Sequence, residues 1–143
     1  MFKREKALKI ALVVLGIIAF MDLLRGYMHT FNIWYASENI AHMTQTADTM
    51  MLMNTFGITN FLTVFVYILI IVKAKELAPY VLTILPLSYL IGIISIKITG
   101  ISQIQTAEWN GQYMMYVYLT LSFMVGLNYF VASMREKNLK RRI

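Results

Sequence analysis

Residues 10 to 28 read IALVVLGIIAFMDLLRGYM. The first twelve carry no polar side chain; then the run admits Asp22 and Arg25, and His29 follows directly. A helix rises about 1.5 Å per residue, so this stretch is long enough to cross the roughly 30 Å hydrocarbon core of a bilayer. Three further stretches share its character. They are MMLMNTFGITNFLTVFVYILIIV from Met50 to Val72, APYVLTILPLSYLIGIISI from Ala78 to Ile96, and QYMMYVYLTLSFMVGLNYFVASM from Gln112 to Met134. Helices satisfy their backbone groups internally, as lipid requires. The expected fold is therefore all-α: a single membrane domain over residues 1–143, built as a bundle of four transmembrane helices over 10–28, 50–72, 78–96 and 112–134.

Composition points the same way. Apolar residues make up 59% of the chain and charged residues 14%, against about 45–50% and roughly 25% in soluble domains. The net charge of +6 is not that of a nucleic-acid groove, because of where the charges sit. All Lys and Arg except Arg25 and Lys97 fall in three clusters separated by apolar runs: Lys3 to Lys9, Lys73 with Lys75, and Arg135 to Arg142. A multispanning protein holds its cytoplasmic ends in this way, and no nucleic-acid partner is expected. There is no cysteine, which excludes disulfides, thiol catalysis and thiolate metal sites.

The positive-inside rule orients the spans. The N-terminal tail, the Lys73–Glu76 turn and the C-terminal tail are basic. The two remaining connections, about 29–49 and 97–111, set Lys97 against Glu38, Asp48 and Glu108. Both termini are expected in the cytoplasm, with Trp34 and Trp109 at the outer interface. The basic start followed by an apolar run imitates a signal peptide, but no small-x-small cleavage site precedes Asp22, so it is read as a retained span. Pro79 suits the first turn of the third helix, and Pro86 lies inside it, where a kink is expected.

Asp22 and Arg25 share a helix face, His29 follows one turn later, and Asn32 continues the stripe; upstream on that face lie Ala11, Leu15 and Ile18. A charge within a span is costly and marks function by default. Read blandly, Asp22 and Arg25 are an intrahelical ion pair. Read functionally, the stripe lines a polar pocket opening outward, surrounded by Asn54, Asn60 and Tyr67 of the second helix, Lys97 of the third, and Tyr113 and Tyr116 of the fourth. Each Asn or Tyr alone is more simply interhelical glue; together they favour a cavity in the outer half of the bundle. Its expected ligand is small or amphiphilic, anionic or lipid-like, gripped by Arg25, whose guanidinium suits carboxylate or phosphate.

Small residues recur on the third helix at Ser88, Gly92, Ser95 and Thr99, and on the fourth at Ser122 and Gly126. Such spacing permits close backbone approach, either within the chain or in a homodimer through Ser88/Gly92/Ser95 or Ser122/Gly126. Glu38, His42, His29 and Asp48 match no zinc-ligand spacing, so no metal site is expected, and methionines are read as packing residues. No hydrolase triad, P-loop or dinucleotide fingerprint is present, and no cofactor is assigned. Two other functions fit a chain of this kind: a small dimeric transporter or channel, and a membrane enzyme using His29 with Asp22 or Glu38 as acid–base groups. An accessory subunit of a membrane complex would leave no trace in the sequence. The architecture resembles that of small bacterial four-span membrane proteins, which implies a multi-pass protein of the bacterial plasma membrane.

Overall fold

The computed structural model describes residues 3–100 and 112–141. The described residues are helical apart from short connections. Four long helices, α1 (Arg4–Thr30), α3 (Ala47–Lys73), α4 (Ala78–Thr99) and α5 (Gln112–Lys140), run alternately up and down, and all are long and apolar enough to cross a membrane. A short α2 (Ile33–Tyr35) and a π-helical turn over Ala36–Ile40 lie between α1 and α3. A 3₁₀ turn over Lys75–Leu77 joins α3 to α4. The three basic clusters therefore gather at one end of the bundle, here called the basic end. Asp22, Arg25 and His29 lie toward the other, the far end.

All four long helices extend beyond the apolar spans. At the basic end the extensions are solvated turns braced by i,i+4 ion pairs, Glu5 with Lys9 at 2.9 Å and Glu136 with Lys140 at 3.0 Å. At the far end, α3 begins three residues before the apolar run because Thr46 caps it. The Thr46 Oγ1 accepts from the Thr49 amide, and the Thr49 Oγ1 accepts from the Thr46 amide. Two orphan donors are satisfied reciprocally, with threonine in the place usual for Glu or Gln.

α1 is the central helix. It packs on α3, α4 and α5, whereas α3 and α4 touch only slightly. Its buried stripe runs Ala7, Ala11, Leu15, Ile18, Asp22, Gly26, the spacing of one helix face. The core around it includes Tyr67 and Ile70 of α3 and Leu82 of α4. At the far end α1 and α3 meet through glycines. A Cβ on Gly26 would lie 3.3 Å from the Gly57 carbonyl oxygen, and one on Gly57 would collide with the Thr30 hydroxyl and sit 3.1 Å from the His29 backbone. Gly126 does the same for α5 against Thr83 and Pro79 of α4.

α4 is peripheral. Its buried residues, Ala78, Pro79 and Leu82, all precede Pro86. Beyond Pro86, only the side chain of Tyr89 is half-buried as far as Thr99. The helix itself continues through Pro86.

At the basic end a clasp holds three segments together. Arg4 donates from Nη2 to Glu76 Oε2 at 2.8 Å and from Nε to the Tyr129 hydroxyl at 3.1 Å, and that hydroxyl donates to Glu76 Oε2 at 2.9 Å. The start of α1, the α3–α4 turn and the end of α5 are thus tied by one shared carboxylate.

Candidate functional site

The polar groups of this bundle divide by whether they satisfy themselves. Thr55, Thr59, Thr63, Thr83, Ser88, Thr99 and Ser122 each donate to the carbonyl four residues back on their own helix. A hydroxyl bonded in this way needs no partner elsewhere. Among the described residues, three buried polar atoms lack a hydrogen bond: His29 Nδ1, Thr30 Oγ1 and the Tyr67 hydroxyl. All belong to the far-end stripe of α1 or to the α3 face beside it.

At the centre of this region is Asp22. Its side chain is only 5% exposed, against 34% for Arg25. The helix geometry makes their pairing local, and Arg25 donates from Nη1 to Asp22 Oδ1 at 3.0 Å. The second carboxylate oxygen accepts from the hydroxyl of Tyr118 on α5 at 3.3 Å. The Tyr118 ring also lies beside the guanidinium, 5.9 Å from Arg25 Cζ to the ring centroid, within range of a cation–π contact. Tyr67 reaches the same place from α3. Side chains lean toward the N-terminus of their helix, which for α3 and α5 is the far end, so both tyrosines aim their hydroxyls toward the level of Asp22. The Tyr67 hydroxyl lies within electrostatic range of Asp22 and of Tyr118, without closing a hydrogen bond. Tyr89 of α4 interacts electrostatically with both tyrosines. Each of the four long helices thus contributes to one polar cluster.

Of the ten residues expected to form the site, the structure brings Asp22, Arg25 and Tyr67 into this cluster. His29 stands one turn beyond Arg25, with its backbone against Gly57, and Asn60 is half-buried beside Gly26. Asn32 is exposed and donates to Met28 Sδ at 3.6 Å. Asn54, Lys97, Tyr113 and Tyr116 are exposed on the surface of the bundle. Of the expected outer-interface tryptophans, Trp34 is exposed, while Trp109, with Glu108, lies outside the described residues. Ser122 and Gly126 are buried between helices of the same chain, whereas Gly92 has nothing within 4 Å of its Cβ position.

Tyr118 is the residue that sequence reasoning missed. A signal for it existed. It precedes Ser122 by four residues, and the Ser122–Gly126 pair marks the packing face of α5, so Tyr118 shares that face. Tyr113 and Tyr116, expected at the site instead, lie on an exposed side of α5.

Chemically, the cluster fixes a guanidinium. Arg25 has five N–H donors and spends one on Asp22, and the buried carboxylate and the Tyr118 ring hold the group in position. Its exposed part opens toward the surface of the bundle about 7 Å from the end of α1.

Compared with protein-family models, with curated proteins and with solved structures, the chain finds no match.

Proposed function

We propose that this is a multi-pass protein of a bacterial plasma membrane, with both termini cytoplasmic, that binds an anionic, lipid-like ligand at its outer interface through Arg25. The observation that carries this reading is the asymmetry of the ion pair. Asp22 is buried and Arg25 is one-third exposed. Burying both partners would desolvate two charges and leave neither with a free donor or acceptor. Here the acid serves as an anchor and the base presents its remaining donors outward. Those donors can take a carboxylate or phosphate in a bidentate contact. The orientation rests on the basic clusters. The unsatisfied His29 Nδ1 and Thr30 Oγ1 lie further along the same end of α1 and are available to a ligand once it displaces the packing around them.

The chain's lack of cysteine makes the test direct. In spheroplasts, His29→Cys should react with a membrane-impermeant thiol reagent added from outside, and Leu15→Cys, on the same face but in the core, should not. Soluble dihexanoyl phosphatidic acid should slow labelling at position 29, and Arg25→Gln in the same background should abolish that protection. Labelling only from the cytoplasmic side would overturn the orientation. Protection that survives Arg25→Gln would remove Arg25 from the role.

A further inference from the structure

The basic end of the bundle carries a second feature, independent of the far-end cluster. A groove of about 390 Å³ lies between the first turn of α1 and the last turns of α5. Its lining includes the buried Ala132 and the exposed Leu139, with Lys3 on the α1 side and Arg135 on the α5 side. A second groove, of about 370 Å³, runs along α1 past Lys6, Lys9, Ile10 and Val13. Residues 3, 6, 10 and 13 follow the spacing of one helix face, so residues of both grooves lie along that face of α1.

We propose that these two grooves form one site for an anionic diacyl phospholipid, its phosphate between Lys3 and Arg135 and one acyl chain along Ile10 and Val13. Charge supports the head of the site. Two carboxylates face the first groove, Glu5 and Glu136, and each is already answered on its own helix, by Lys9 and Lys140. Arg4 is committed to Glu76 and Tyr129. Neither Arg135 nor Lys3 makes an ion pair among the described residues, and Glu5, within electrostatic range of Lys3, bonds Lys9. Depth supports the tail. The apolar run begins at Ile10, so Lys6 and Lys3 lie about 6 and 10 Å beyond the hydrocarbon edge, at the level of lipid phosphates. Below them Val13 is 64% exposed, and the stems of Lys6 and Lys9 can lie along the acyl chain while their ammonium groups stay in water. A free phosphate ion would use only the upper half of this arrangement. A phospholipid uses both halves.

The test uses the full-length protein in phosphatidylcholine nanodiscs, with phosphatidylglycerol titrated in and retained lipid read by native mass spectrometry. Phosphatidylglycerol should be retained in preference to phosphatidylcholine. Changing Lys3→Gln and Arg135→Gln together should weaken retention roughly thirtyfold, at about fivefold per basic residue. Val13→Trp, which obstructs the chain groove and leaves the charge intact, should also weaken it. Lys73→Gln with Lys75→Gln, which removes as much charge at the same end but outside the grooves, should leave retention near wild type. These positions are exposed, and melting in pure phosphatidylcholine checks that each variant is folded. Equal losses from the Lys3/Arg135 and Lys73/Lys75 pairs would reveal only a diffuse basic collar. Displacement of the lipid by inorganic phosphate at constant ionic strength, or indifference to Val13→Trp, would reveal an ion site without a chain groove. Either result overturns the proposal.

Discussion

α1 and α4 are both apolar enough to cross a membrane, yet they hold opposite places in the bundle. In its most apolar window α1 buries 39% of its residues and α4 only 6%. Hydropathy does not separate them, because lipid is as apolar as a protein core and there is no hydrophobic drive between helices within it. What separates them is detail. α1 carries a stripe of small residues, Ala7, Ala11 and Gly26, that lets neighbours approach, and an acid whose second oxygen accepts from a tyrosine on another helix. α4 has comparable small residues at Ser88, Gly92 and Ser95, but they lie beyond Pro86, on a stretch that is exposed except at Tyr89. A small-residue stripe is permission to pack, and the partner has to be present.

The comparison is broken most severely at the ion pair. Arg25→Gln strands the nearly buried Asp22 carboxylate and should lower stability by roughly 3–5 kcal/mol, the usual cost of an uncompensated buried charge. Asp22→Asn should cost less, because the half-exposed arginine left behind can snorkel to the interface. The double variant should be more stable than Arg25→Gln alone. Thermal unfolding in detergent ranks the three, and simple additivity would show that the two side chains are uncoupled.

Glycine substitutions sharpen the contrast directly. At Gly57 a side chain meets Thr30 and the His29 backbone, so Gly57→Val should destabilise by about 1–3 kcal/mol, the range for overpacking a core. At Gly92 nothing lies within 4 Å, and Gly92→Val should leave the melting temperature unchanged. A drop there of the size seen at Gly57 would mean that another copy of the chain covers α4.

The smallest effect is expected at the start of α3. Thr46→Ala removes an N-cap whose typical value is about 1 kcal/mol. The loss should appear as faster hydrogen exchange confined to the first turn of α3, with α1 unchanged.

Much of this architecture was legible because it is local. Span length, the gathering of basic clusters and the Asp22–Arg25 pairing each depend on residues close in sequence, and the i,i+3 spacing placed both charges on the α1 face that Ala11, Leu15 and Ile18 also occupy. The site was legible on α1 and largely illegible elsewhere. On α3, Tyr67 lies beside the charged stripe, whereas Asn54 is exposed. On α5 the polar-looking side, Tyr113 and Tyr116, is exposed, and the contact to Asp22 comes from Tyr118.

The sequence by itself determined that four long apolar helices exist and which ends share a side, since those follow from hydropathy, helical rise and charge. The tertiary structure alone decided how each helix is turned about its own axis and which one stands at the centre. In a soluble bundle the contrast between a polar and an apolar face records that rotation. Where the surroundings are as apolar as the interior, that record is faint, and rotation is set by contacts that are not local: Gly26 against Gly57, Gly126 against Thr83, and a carboxylate on α1 that accepts from a tyrosine on α5.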